Sequence, residues 1–121
     1  MAAETFGFPR INRLCKPADY QNVFAGAQKS SDAYLTVLAR ASDQGQSRLG
    51  LAVSRKKIRN AVDRNRIKRL ARESFRLHKA GLGNLDFVVM ARTAARQADT
   101  KTLLMSLKKH WIILIKRCDS C

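Results

Sequence analysis

Acidic residues are scarce in this chain: nine Asp and Glu stand against 24 Lys and Arg, which gives a formal net charge of +15 over 121 residues. The acids are scattered, and no two of them form the close carboxylate pair that holds two catalytic metal ions. His78 and His110 also stand apart, and we interpret them as solvated or packing residues. The sequence has no phosphate-binding loop, no serine-hydrolase motif and no HExxH zinc motif. We therefore predict no catalytic and no metal-binding residues, which favours a binding protein over a self-sufficient catalyst.

Cysteine is also rare, and Cys15, Cys118 and Cys121 do not suggest a disulfide scaffold. Cys118 and Cys121 have CxxC spacing, but they lie in residues 117–121, which we predict to be a frayed tail. A zinc site would need two more ligands. Long apolar runs are missing too: the run from Trp111 to Ile115 is far too short to cross a membrane, and the N-terminus lacks a signal-peptide pattern. We predict a cytoplasmic protein with no membrane partner.

Hydrophobic residues make up 45% of the chain, which is enough for one core. We predict a single domain over residues 1–121, with an extended arm over residues 1–12. Apolar periodicity and turn residues predict an α+β fold, a two-layer α/β sandwich in which helices pack on a sheet of about four strands. The predicted elements are a helix from Pro17 to near Gly26, strands at 28–31, 35–40, 48–54 and 85–91, a basic helix from Asp63 to before Gly81, and a last helix from Asp99 or Thr100. Residues 42–46 are predicted to be a hairpin loop, and the unbroken apolar run at 87–91 predicts a central strand.

Positive charge is densest from Arg55 to Arg76, where ten Lys and Arg stand against two acids, so the segment carries ten minus two, or +8, of the net charge. Asp63 either caps the helix or complements the positive end of its dipole. The predicted buried stripe consists of Ile67, Leu70, Ala71 and Phe75. Arginine dominates the remaining faces, and a guanidinium group forks onto phosphate oxygens. Asn65 can both donate to and accept from a base edge or a 2′-hydroxyl. The segment therefore predicts nucleic-acid binding.

Tyr20 and Phe24 lie at i and i+4 of the first predicted helix, with Val23 on the same face. An aromatic pair at this spacing is usually part of the core. If one face of the sheet is left open, the same rings could stack on unpaired bases. The spacing alone leaves both interpretations open.

The segment Arg64-Asn65-Arg66-Ile67-Lys68-Arg69 resembles the signature of the bacterial ribonuclease P protein subunit. Its flanks agree: residues 48–54 with Lys56 and Lys57 resemble the strand and lysine pair that precede the signature, residues 19–24 are similar to the first-helix motif, and residues 86–92 are similar to a late strand. The resemblance covers about residues 10 to 115.

The resemblance implies an α/β sandwich with a left-handed βαβ crossover, in a protein that assists a catalytic RNA. This ribonucleoprotein endonuclease removes the 5′ leader from precursor tRNA, and its RNA carries the chemistry and holds most of the Mg²⁺. One protein per RNA is implied. The residues that would face the catalytic RNA are Lys56, Lys57, Arg64, Asn65, Arg66, Lys68, Arg69 and Arg72. Tyr20 and Phe24 would line a cleft for the leader, and Leu38 stands near where some members have an aromatic residue on the cleft floor.

Two alternatives come from other classes. A structural RNA-binding protein of the ribosomal type would share the charge and the sandwich fold, but its binding would not depend on a leader. A self-sufficient nuclease would cut precursor tRNA without any RNA cofactor.

Overall fold

The computed structural model describes residues 17–42, 47–78, 81–82 and 84–119. The predicted N-terminal arm and residues 43–46 of the predicted hairpin loop lie outside this part of the chain. The elements are α1 (Pro17–Gly26), β1 (Gln28–Ser31), β2 (Leu35–Ala41), β3 (Arg48–Ala52), α2 (Ala61–His78), β4 (Leu85–Ala91), a 3-10 helix (Thr93–Arg96) and α3 (Thr100–Asp119). Each predicted helix and strand is present. Helix α3 continues to Asp119, so residues 117–119 of the predicted frayed tail are helical.

The four strands form one sheet in the order β1-β2-β4-β3. Strand β2 is antiparallel to both β1 and β4, whereas β3 is parallel to β4. The predicted hairpin between β2 and β3 is therefore wrong, because β4 lies between these two strands. A cross-strand pair helps to fix β3 at the far edge: Arg48 Nε and Nη2 donate to the two carboxylate oxygens of Asp86 at 2.8 and 2.7 Å.

Strand β4 takes the central place that its apolar run predicts, and Phe87, Val88 and Val89 are fully buried. Since β3 and β4 are parallel neighbours joined through α2, they form a βαβ unit. The left-handed sense of this crossover stays a prediction of the family resemblance. Strand β3 ends at Ala52, two residues earlier than predicted.

The main core lies between one face of the sheet and helices α2 and α3. Three of its rings, Phe75, Phe87 and Trp111, meet edge to face with centroids 5.0 to 6.3 Å apart. Trp111 Nε1 donates to Ser74 Oγ at 2.9 Å, so its buried polar atom has a partner. Helix α3 also secures the edge strand β1, because the Arg117 guanidinium donates to the Lys29 carbonyl. In the described part of the chain, no helix has both the length and the apolar content needed to cross a membrane.

Helix α2 begins at Ala61, two residues before the predicted start. Asn60 caps it, since its Oδ1 accepts a hydrogen bond from the Val62 amide at 2.8 Å. Asp63 lies in the first turn, where its charge complements the positive end of the helix dipole. Of the two predicted roles for Asp63, the second is the one that the structure supports.

Candidate nucleic-acid interface

Helix α2 and the loop before it carry a basic ridge, defined here as Lys56, Lys57, Arg64, Asn65, Arg66, Lys68, Arg69 and Arg72. The apolar stripe of the same helix is buried against the core, so its charged faces point outward. Lys56, Lys57, Asn65, Arg69 and Arg72 are exposed, whereas Arg64, Arg66 and Lys68 are partly buried. The structure therefore places all eight predicted residues on one helix and the loop before it, five of them exposed and three partly buried.

The Arg64 side chain forms hydrogen bonds to the backbone of the loop before α2. Its Nη1 donates to the carbonyl oxygens of Ile58 at 3.0 Å and of Arg59 at 2.7 Å. The Ile58 side chain is fully buried and anchors the loop, and the Lys56 amide donates to Ser54 Oγ at 3.0 Å. Arg64 thus holds the loop that presents Lys56 and Lys57, a role that the sequence pattern did not indicate.

Arg66 joins the ridge to the rest of the fold. Its Nη2 donates at 2.7 Å to the carbonyl oxygen of Ala98, a residue just before α3. One turn away, Arg96 Nε lies 3.7 Å from an Asp63 carboxylate oxygen. Both contacts cross between segments that are far apart in sequence, so no local signal could have revealed them.

Short-range ion pairs do not neutralise the ridge. Ion pairs in the described part of the chain include Arg48–Asp86, Arg96–Asp63 and Lys109–Asp32, and none of these cations belongs to the ridge. Even the inward-turned guanidinium groups of Arg64 and Arg66 donate to neutral carbonyl groups and not to carboxylates. The ridge can therefore attract a polyanion.

Helix α1 packs on the opposite face of the sheet, which we call the α1 face. Val23 is fully buried there against Val88, and Tyr20 is partly buried. Phe24, by contrast, is 49% exposed. Val23 therefore supplies the core contact of α1, and Phe24 presents an aromatic ring to solvent.

The floor of the α1 face is aliphatic beside these rings. Leu38, Ala52 and Met90 are partly buried there, and Leu38 lies opposite Val88 in the β2–β4 register. An aliphatic side chain thus stands at the floor position where the family resemblance suggests an aromatic one in some members. Just after β4, Arg92 Nη1 donates to the Ser31 hydroxyl at 3.2 Å.

Tyr20 lies directly on strand β3. Its hydroxyl oxygen accepts a hydrogen bond from the Leu51 amide at 3.3 Å. The ring covers Gly50 so closely that a Cβ atom at that position would be 2.7 Å from Tyr20 Cε1. Only glycine leaves room for the ring in this place.

Ser30, His110 and Asp32 are arranged in the order of a hydrolase triad, but they are closed to substrate. Ser30 Oγ is 2.6 Å from His110 Nδ1, and His110 Nε2 is 3.3 Å from an Asp32 carboxylate oxygen. His110 is fully buried and Ser30 is only 6% exposed. The group joins α3 to the β1–β2 turn, which confirms a packing role for His110. His78 is partly buried and is not part of this group: its Nδ1 lies 2.8 Å from the Ser74 carbonyl oxygen.

The same buried group perturbs two acid–base equilibria. Burial lowers the pKa of His110 and outweighs the nearby Asp32 charge, which acts in the opposite direction. Burial by itself raises the pKa of Asp32, but hydrogen bonds from Ser106, the Leu35 amide and Lys109 outweigh it and hold that pKa well below its usual range. The arrangement is therefore a neutral imidazole beside an ionised carboxylate, which suits a structural contact. Among the described residues, no group of three or more His, Cys, Asp or Glu is placed to hold a metal ion.

Comparison with known proteins agrees with this architecture. The family model described as Ribonuclease P matches residues 8–114. The chain is 58% identical over 114 residues to the ribonuclease P protein component of Methylococcus capsulatus, covering 94% of this chain and 89% of that protein. It is 47% identical over 107 residues to the component of Vibrio cholerae, covering 88% and 91%.

Solved structures show the same fold. The RNase P protein of Staphylococcus aureus superposes with a TM-score of 0.76 at 33% identity, covering 81% of this chain and 90% of that one. The RNase P protein of Thermotoga maritima gives a TM-score of 0.73 at 30% identity, covering 86% and 96%. The family resemblance and the predicted α+β sandwich are both confirmed. With its sequence matched from residue 8 to residue 114 and its fold shared, the chain belongs to the family of ribonuclease P protein components.

Proposed function

We propose that this chain is the protein subunit of a ribonuclease P ribonucleoprotein, binding its catalytic RNA and the 5′ leader of precursor tRNA to assist endonucleolytic 5′ maturation. The observation that carries the proposal is the basic ridge, whose cations have no carboxylate partner among the described residues. A family member that keeps this much uncompensated charge on one helix is suited to an RNA phosphate surface.

The ridge would bind the catalytic RNA. Exposed Arg69 and Arg72 lie about one turn apart, so their guanidinium groups can contact neighbouring phosphates. Arg64 and Arg66 would contribute charge while also fixing the Lys56–Lys57 loop and the segment before α3. Because each phosphate contact releases counterions, assembly should weaken steeply as salt increases.

The α1 face would bind the leader. Phe24 offers an exposed ring on which an unpaired base can stack, and Tyr20 bounds the same surface on β3. Mature tRNA lacks the leader, so these contacts would favour substrate over product.

The chemistry would belong to the RNA, which would hold most of the Mg²⁺, with one protein bound per RNA. The protein would place positive charge between the catalytic RNA and the precursor tRNA. This charge would reduce the repulsion between the two RNAs and strengthen Mg²⁺ binding by their phosphates. On this basis the protein matters most when Mg²⁺ is scarce.

The deciding experiment adds the purified protein to a bacterial ribonuclease P RNA at low Mg²⁺ and measures 5′ processing of precursor tRNA. We expect processing only with both components. Replacing both Arg69 and Arg72 by Ala should weaken assembly, while the charge-matched pair Lys101→Ala and Lys108→Ala on α3 should do so much less. Processing by the protein without RNA would establish a self-sufficient nuclease. RNA binding that neither stimulates processing nor depends on the leader would establish the ribosomal-type alternative.

A further inference from the structure

Strand β3 is an edge of the sheet, and its residues alternate between two environments. Leu49 and Leu51 pack in the main core, so Gly50 and Ala52 face α1. Gly50 is buried although it has no side chain, because the Tyr20 ring covers it. A Cβ atom at residue 50 would meet three Tyr20 atoms, Cε1, Cζ and the hydroxyl oxygen, at 2.7, 2.8 and 2.9 Å. The glycine therefore supplies the space that the ring occupies.

The Tyr20 hydroxyl is held by the next residue of the same strand. The Leu51 amide donates to it at 3.3 Å. An edge strand has amide groups that no neighbouring strand accepts from, and the tyrosine oxygen provides an acceptor for this one. Gly50 and the Leu51 amide thus fix the ring from two directions, whereas Phe24, one turn further along α1, is 49% exposed.

We propose that Gly50 is a positioning residue for leader binding: it lets the Tyr20 ring lie close against β3, so that the floor formed by Leu38 and Met90 stays open to an unpaired nucleotide beside Phe24. This inference rests on the proposed leader contact of the α1 face. A side chain at residue 50 would lift the Tyr20 ring off the strand and into the space that the nucleotide uses. The leader contact thus depends on a residue that touches no RNA.

A double-mutant cycle tests this with the assembled ribonucleoprotein. The measured quantity is a ratio: the affinity for precursor tRNA divided by the affinity for the same tRNA without its leader. It is determined for four proteins: wild type, Gly50→Ala, Tyr20→Ala and the double variant. We expect Gly50→Ala to reduce this ratio by about fivefold or more, the scale of one disturbed base stack. Affinity for the catalytic RNA should be unchanged. In the Tyr20→Ala background, Gly50→Ala should have no further effect, since the ring that it displaces is gone.

Two outcomes would overturn the inference: an unchanged ratio in folded Gly50→Ala protein, or an equal reduction with and without Tyr20. If Gly50→Ala does not fold, a measurement on the wild-type protein still tests the inference. Nuclear Overhauser contacts between the Tyr20 ring and the Gly50 α-protons should persist when a leader oligonucleotide binds, and their loss would refute the proposal. Failure of the proposed function is seen separately, as a wild-type ratio of one before any substitution is made.

Discussion

Replacing Phe24 by Ala should separate RNA contact from stability. Truncation of a fully buried Phe costs about 3–5 kcal/mol, but Phe24 is 49% exposed, so we expect its loss to destabilise the fold by only about 1–2 kcal/mol. A base stacked on an aromatic ring contributes about 1–3 kcal/mol, which corresponds to a loss of about fivefold to 150-fold in affinity for leader-bearing tRNA. The two effects are therefore of the same order, and a loss of leader affinity in protein that is still folded would report the RNA contact.

The neighbouring residue supplies the control. Val23 is fully buried on Val88, so Val23→Ala removes two methyl groups at about 0.8 kcal/mol each and leaves a small cavity, about 2 kcal/mol in all. Its leader binding should be close to wild type. Urea unfolding measures stability, and a titration with precursor tRNA and leaderless tRNA measures the contact. Equal leader discrimination in wild type and Phe24→Ala would refute the assignment of this ring to the RNA.

Three further predictions concern the ridge, the buried histidine and the aromatic core. Arg64→Lys keeps the charge but loses the paired carbonyl contacts, so it should weaken RNA assembly more than Arg69→Lys does in the same filter-binding titration. Burial lowers the pKa of His110 below its unfolded value, so the unfolded state takes up the proton first as the pH falls. The free energy of unfolding should therefore decrease below about pH 6.5, by up to about 1.4 kcal/mol per pH unit. In denaturant titrations at several pH values, the free energy of unfolding of His110→Gln should depend less on pH than that of the wild type. An equally steep pH dependence would contradict the assignment of this effect to His110. Ser74→Ala should cost about 1–3 kcal/mol in thermal melts because it leaves the buried Trp111 N–H without its acceptor, and an unchanged melting temperature would argue against that hydrogen bond.

The elements of this fold could be predicted because each is encoded locally. The apolar spacing of α2 and α3 matches their buried stripes, and the continuous apolar run of β4 matches a strand covered on both faces. The ridge was predictable for the same reason, since the periodicity that buries Ile67 and Leu70 also turns Arg69 and Arg72 outward.

What the sequence could not reveal depends on contacts between distant segments. The loop after β2 carries an ordinary turn signal, yet β3 passes β4 and pairs on its far side, next to Asp86. The inward bond of Arg66 has its acceptor 32 residues away. Likewise, helical spacing grouped Tyr20 with Phe24, and only the position of β3 distinguishes a ring fixed on the sheet from one open to solvent.

Both outer strands of the sheet are short, with four residues in β1 and five in β3, and each has a backbone group occupied by a side chain. Arg117 binds the Lys29 carbonyl on one side, and the Tyr20 hydroxyl receives the Leu51 amide on the other. A strand from a second copy would meet a short edge on which one backbone group already has a partner, and it would have to approach against the repulsion of two +15 chains. Short edges and strong like charge both oppose self-association through strand addition.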